Sequence, residues 1–192
     1  MGGQVMAQSD ATGWGRHVYA VGNDIDYVKV REKASGRVYL LAEALLGSYY
    51  RKPGEELETL ERLKGRGLVG LQYEELFPYF SDRRAGGAFR VIHSSHVTTE
   101  SGTGIVHMAP AFGEEDYFAC AKEGLPIVNP VDDDGMFTAE VSDYQGRRVK
   151  EADKDIIAAI KAKGRLFKQD VLSHSYPFCY RSDTPLIYRA VS

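Results

Sequence analysis

Cysteine is scarce. Cys120 and Cys179 are the only two in 192 residues, and they form no CxxC pair. A disulfide framework is thereby excluded as the source of stability, and the composition suits a reducing compartment. No apolar run approaches the roughly 18 residues that span a bilayer. The opening MGGQVMAQSDATGWGRH lacks the charged-then-apolar order of a secretory signal, so a soluble cytoplasmic domain without membrane contact is expected. Positive charge is not in excess either. With 24 basic against 27 acidic residues the formal net charge is −3, which excludes a surface that grips nucleic acid over its whole area but leaves room for a local basic stripe. Also missing are the GxxxxGK[ST] phosphate loop, the third glycine of a dinucleotide-binding turn and the GxSxG nucleophile elbow. Internal repeats and long linkers are absent, so residues 1–192 are read as one domain.

What is present is a succession of short β-prone runs. Residues 27–30 alternate apolar and polar, and 37–41, 68–73, 88–94, 97–99, 105–108 and 166–173 read as further strands. Residues 125–131 fit a strand or a loop, and LFPYF at 76–80 an aromatic loop. Helices are expected at 42–46, closed by Gly47, and within the charged stretch 52–67, where Leu57, Leu60 and Leu63 recur at three-residue spacing. Two more are expected at 114–122, with an acidic first turn and Gly124 as its stop, and at 147–162. In the latter Val149, Ala152, Ile156, Ile157 and Ile160 share a face and Gly164 ends the helix. The order shows no repeating βαβ alternation, which argues against a doubly wound sheet. The expected class is α+β, a closed or strongly curved, barrel-like β core with peripheral helices.

The stretch HVTTESGTGIVHMAPAFGEEDY, residues 96–117, concentrates the chemically versatile side chains. Gly102-Thr103-Gly104 is too short for a nucleotide-binding loop. Its plainer reading is a tight turn with positive φ, although two glycines also let another molecule approach the backbone. His93 and His96 lie three apart, on opposite sides of an extended strand, so they do not share a metal without a bend. His174 and Cys179 lack a second cysteine to complete a set. No metal is expected. His107 and Asp116 flank a turn containing Pro110 and Gly113, so the chain can fold back and bring both to one cleft. A histidine titrates near neutrality, and an aspartate near a helix start can hold a cation, although acidic residues there commonly serve only as caps. Cys120, on an apolar helical face, reads as a buried structural thiol.

GTGIVHMAPAFGEEDY, continued by GLPIVNPVDDDGMF, YQGRRVKEADKDIIAAIKAKGRLF and HSYPFCYRSDTPLIYRA, resembles the editing (CP1) domain inserted in isoleucyl-tRNA synthetases. LVGLQYEELFPYF is similar to the eukaryotic-type version. The resemblance runs in order from about Asp24 onward. Valyl relatives usually carry lysine at the position of His107, which favours the isoleucyl assignment. The resemblance implies hydrolysis of valine wrongly attached to isoleucine tRNA, with valyl-adenylate as a second candidate substrate. One missing methylene changes binding by only about 1–3 kcal/mol, a general figure for which this synthetase family is itself the standard example, so a second pocket must clear the error. By the same resemblance Asp116 holds the substrate's α-ammonium and His107 shapes the site near the terminal ribose or the attacking water. Gly102, Thr103 and Gly104 floor the pocket, and Thr98 and Thr99 line it. No cofactor is implied. The implied partners are the acceptor end of tRNA(Ile), valine or valyl-adenylate, and the remainder of the synthetase, with the chain itself a monomer.

The chain departs from the family in three places. The HxGH and KMSKS motifs of ATP-dependent activation are absent, so no aminoacylation is expected. The family's threonine-rich segment, of the form TTTPWTLPSN, is replaced by AQSDATGWGRH, with only Ser9 and Thr12 in its place. Residues 1–17 are therefore read as divergent or added. Ser182 stands after Cys179 where relatives can hold a second cysteine, and residues 174–192 as a whole are read as a strand returning toward the synthetic domain. The loss of threonines keeps open an alternative function, a non-catalytic module that binds the tRNA acceptor end or an amino acid, with Arg83, Arg84, Arg147, Arg148 and Lys150 as candidate basic patches.

Overall fold

The alternating segment around Tyr27 becomes the centre of the larger of the two sheets among the described residues. The computed structural model of the chain describes residues 4–5, 18–169, 177–181 and 186–187. In it β1 (Gln4–Val5), β3 (Asp26–Glu32), β4 (Val38–Ala42) and β5 (Leu57–Lys64) form a sheet in the order β1-β4-β3-β5, parallel at β1–β4 and antiparallel elsewhere. β3 is covered on both sides. Val28 and Val30 pack with Tyr39, Leu41, Tyr50 and Leu57, while Tyr27 packs with Val21, Ala42, Leu45, Val91 and Ile105 toward the other sheet. That second sheet has the order β6-β2-β7. β2 (Val18–Val21) runs parallel to β6 (Arg90–His93) and antiparallel to β7 (Ile105–Met108).

Among the described residues four helices and several 3₁₀ turns surround the sheets. α1 (Leu46–Tyr49) and α2 (Pro53–Glu56) are single turns, and α3 (Glu114–Lys122) and α4 (Val149–Ala162) are longer. α3 has the bounds that the sequence predicts. Its acidic first turn favours the helix N-terminus, and Gly124, at φ 69°, supplies the left-handed stop. α4 begins two residues later than expected. It buries Val149, Ala152 and Ile156 against Phe137, Val141 and Tyr144.

Three expectations are corrected. The core is not a barrel: among the described residues the two sheets remain open, with β5 as a charged edge of one and strands of only four residues in the other. The stretch 52–67 is helical only in the turn α2 and in a 3₁₀ turn at Gly65–Gly67, because β3 offers an unpaired edge that Leu57–Lys64 satisfies from Asp26↔Lys64 to Glu32↔Leu57. Leucines three apart then fall on opposite faces, and accordingly Leu57 is buried while Leu60 is exposed. Residues 68–73 and 97–99 are not regular strands either. The first makes one bridge, Gln72↔Arg90, and the second is a bend entered by the Val97 amide donating to the Ser94 carbonyl.

Smaller differences follow from the caps. Gly47 lies inside α1 rather than ending it, and the aromatic loop leads into a 3₁₀ helix, Pro78–Gly86, that Gly87 closes at φ 94°. Residues 125–131 form a loop that ends in the bridge Val131↔Phe137. Residues 166–169 are irregular. The expectations for 170–173, for most of 1–17 and for most of 174–192 lie outside the described residues.

Tyr27 joins the two sheets. Its buried hydroxyl donates to the Gly104 carbonyl at 2.5 Å and accepts from the Gly22 amide at 3.2 Å. Removing it in Tyr27→Phe strands two buried backbone groups and is expected to cost about 2 kcal/mol in urea unfolding. Cys120 is fully buried. Burial, aided by the nearby carboxylates of Asp116 and Glu123, pushes its thiol up to about 12. The native chain should therefore leave Cys120 unalkylated at mildly alkaline pH, with labelling appearing only on denaturation, as mass spectrometry of the labelled peptides would show.

Candidate functional site

The glycine-flanked threonine is a joint between the sheets. Gly102 and Gly104 adopt φ of 71° and 72°. A Cβ on Gly104 would lie 2.5 Å from the Cβ of Ala42, so the turn is held tightly against the end of β4. All three carbonyls of the turn are engaged. That of Gly102 accepts from the Tyr49 hydroxyl at 2.9 Å, that of Thr103 from the Ala42 amide at 2.9 Å, and that of Gly104 from Tyr27. The buried Thr103 hydroxyl turns inward, donating to the Ile105 carbonyl at 3.1 Å and accepting from the Ile105 amide at 3.3 Å.

From this joint β7 carries His107 outward. The half-buried imidazole lies beside the ring of Tyr19, its register partner on β2, with centroids 4.7 Å apart and planes at 31°. Two residues on, the chain leaves the strand through the buried run Ala109, Pro110 and Ala111, tightened by the Phe112 amide donating to the Ala109 carbonyl at 2.8 Å. Gly113 then caps α3, and Asp116 occupies the first turn. The half-buried Asp116 carboxylate folds back, its Oδ2 accepting from the Ala109 amide at 2.7 Å. Gly113 leaves room for this, since a Cβ there would meet the Asp116 carboxyl at 3.2 Å. The fold thus brings His107 and Asp116 to the same end of β7.

The remaining candidates share no hollow with that pair. Thr98 is exposed, and Thr99 borders an open hollow of about 350 Å³ with Asp24, Ile25, Asp26, Glu43 and Ala44. Its carboxylates are neutralised in place: Asp24 by Arg66 at 2.6 Å, Asp26 by Lys64 at 2.8 Å and Glu43 by Arg62 at 2.9 Å. A second hollow, of about 190 Å³, lies between His93–His96 and the outer face of α3 at Phe118 and Lys122. Neither His107 nor Asp116 lines either hollow. Among the described residues no group of three or more His, Cys, Asp or Glu side chains converges as metal ligands. Candidate basic residues are engaged within the fold: Arg84 pairs with Glu75, Arg147 with Asp155 at 2.7 Å and Arg83 with Asp82 at 3.3 Å, and Arg148 donates to the Asp134 carbonyl at 3.3 Å. The run VYAV reads as plain core, and nothing in it marks Tyr19 as the neighbour of His107.

Solved structures define the class. The chain is similar to the Plasmodium knowlesi cytosolic leucyl-tRNA synthetase editing domain, with a TM-score of 0.59 and 14% identity over 86% of this chain and 84% of that one. GlLeuRS-CP1 gives the same TM-score with 13% identity over 89% and 86%. The fold is therefore that of a synthetase CP1 editing domain. No protein-family model matches the chain. The isoleucine–tRNA ligase of Bdellovibrio bacteriovorus is 73% identical over 173 residues, 90% of this chain, and the cytoplasmic enzyme of Saccharomyces cerevisiae is 49% identical over 177 residues, 89% of this chain. The chain belongs to the isoleucyl-tRNA synthetase family and corresponds to its editing domain. It spans 16% of the length of these relatives.

Proposed function

We propose that the chain hydrolyses the ester that joins valine to isoleucine tRNA, with valyl-adenylate as a second substrate, and so protects the fidelity of translation. The observation that carries this reading is the Asp116 carboxylate held at 2.7 Å on the Ala109 amide, two residues beyond His107 and just past the end of its strand. A carboxylate oriented by the backbone is suited to grip an α-ammonium group. The reaction needs no covalent intermediate. Water adds to the ester carbonyl, the bond to the ribose oxygen breaks, and the ribose hydroxyl leaves with a proton. Orientation and stabilisation of the oxyanion supply the rate. His107 serves near the terminal ribose or the water, and a neighbouring ribose hydroxyl helps to hold that water. Thr98 and Thr99 line the approach. Gly102–Gly104 acts through its backbone, because the Thr103 hydroxyl is already engaged in its own turn.

The partners in this reading are the tRNA acceptor end and the rest of the synthetase, in the cytoplasm, where the yeast relative is placed by name. The chain acts as a monomer and carries out no ATP-dependent aminoacylation. No described helix is long and apolar enough to cross a membrane. The test is incubation with valyl- and isoleucyl-tRNA(Ile). Release of valine and retention of isoleucine is the expected result. Salt-dependent tRNA affinity without release would establish the binding module instead, the reading that the replaced threonine segment favours.

A further inference from the structure

His107 stands at the end of a row of rings that crosses one face of the β6-β2-β7 sheet. Tyr19, its register partner, also meets Tyr73, with centroids 4.4 Å apart and planes at 47°. Tyr73 in turn meets Phe89 edge-on at 6.0 Å. Tyr73 comes from beyond β6, where its amide donates to the Phe89 carbonyl at 3.0 Å. Because β2 lies between β6 and β7, Tyr19 is confined between Tyr73 and His107. The far end of the row is clamped as well. The Arg84 guanidinium lies 5.0 Å from the Phe89 ring centroid, donates twice to the Tyr73 carbonyl at 3.1 Å and pairs with Glu75. The Tyr73 hydroxyl is buried with no hydrogen-bond partner among the described residues.

An imidazole has a broad χ2, and its nitrogens sweep an arc unless a neighbour confines the ring. Hydrogen bonding to a ribose or a water requires a nitrogen within about 2.6–3.2 Å of its partner. We infer that Tyr19 is a positioning residue: its ring sets the plane of the His107 imidazole, and the Tyr73–Phe89–Arg84 row holds Tyr19 in place. The catalytic consequence rests on the editing reading above; the ring geometry does not.

The experiment combines histidine-selective ¹³C NMR of the full chain, with His107 assigned through His107→Gln, and valine release from valyl-tRNA(Ile). Tyr19→Phe keeps the ring and is expected to leave the His107 ring signals in place and to retain most of the turnover that Tyr19→Leu loses. Tyr19→Leu keeps bulk without the ring. It should move the His107 ring protons downfield, as ring-current shielding is lost, and lower kcat by roughly 10- to 100-fold with KM unchanged. Tyr73→Leu, which leaves Tyr19 in place, should give a smaller shift in the same direction. A Tyr19→Leu chain with unmoved His107 signals and full turnover would overturn the inference. If that variant melts, unmoved signals in Tyr73→Leu would overturn it equally. A wild-type chain that releases no valine would overturn the editing reading alone, and the resonance shifts would still decide what holds His107.

Discussion

Replacing Gly104 with alanine is expected to destabilise the chain by roughly 2–5 kcal/mol. The left-handed backbone conformation costs an L side chain about 1–2 kcal/mol. The new methyl, 2.5 Å from the Cβ of Ala42, then forces a shift in packed surroundings at a further cost of about 1–3 kcal/mol. Gly36 is the control. Its φ of 70° is nearly the same, but a Cβ there has nothing within 4 Å, so Gly36→Ala should cost only the backbone share, about 1 kcal/mol. Urea midpoints with unchanged slopes would measure both. Equal losses at the two positions would mean that β4 yields freely and that the 102–104 turn is not a tight joint.

Asp116→Asn is expected to abolish most of the chemistry while sparing the fold. The amide oxygen can still accept from the Ala109 amide, so the link now made at 2.7 Å survives and the unfolding midpoint should move little. The negative charge is lost, and with it the ion pair to the substrate's ammonium that the editing proposal assigns to Asp116. Truncating one partner of a desolvated, hydrogen-bonded charge pair costs about 2–5 kcal/mol, so valine release should fall by roughly 10²-fold or more. Asp116→Ala removes the acceptor as well and should add about 1–3 kcal/mol of destabilisation from the stranded amide. Comparing the two variants by deacylation and by urea unfolding separates the chemical role from the structural one. Full turnover in Asp116→Asn would show that this carboxylate does not hold the ammonium.

The parts of the fold that were legible in the sequence are those whose signals are local. α3 carries its acidic start and its glycine stop within eleven residues, and its bounds are as expected, Glu114–Lys122. β5 was illegible because its partner, not its composition, decides its conformation. EELETLERLKG favours a helix in isolation, yet the ladder to β3 absorbs it, with a register irregularity at Lys29/Val30. The barrel-like expectation came from counting strands, and a count does not report whether a sheet closes. At the candidate site the sequence places His107 and Asp116 on either side of a turn, and the hydrogen bond to Ala109 supplies the reason they share one end of β7. The row behind His107 was hidden because Tyr19 and Tyr73 are 54 positions apart in the sequence and only the pairing around β6 and β2 unites them.

The order in which strands meet their neighbours has a consequence for synthesis on the ribosome. β3, β4 and β5 have found one another once Lys64 has emerged. β2, made before any of them, has no ladder to join until Arg90–His93 arrives and is not enclosed until Ile105–Met108 follows. The nascent chain therefore carries an apolar, unsatisfied strand through some seventy residues of elongation. Closing such distant pairings is slow and leaves sticky surface on show until β7 arrives.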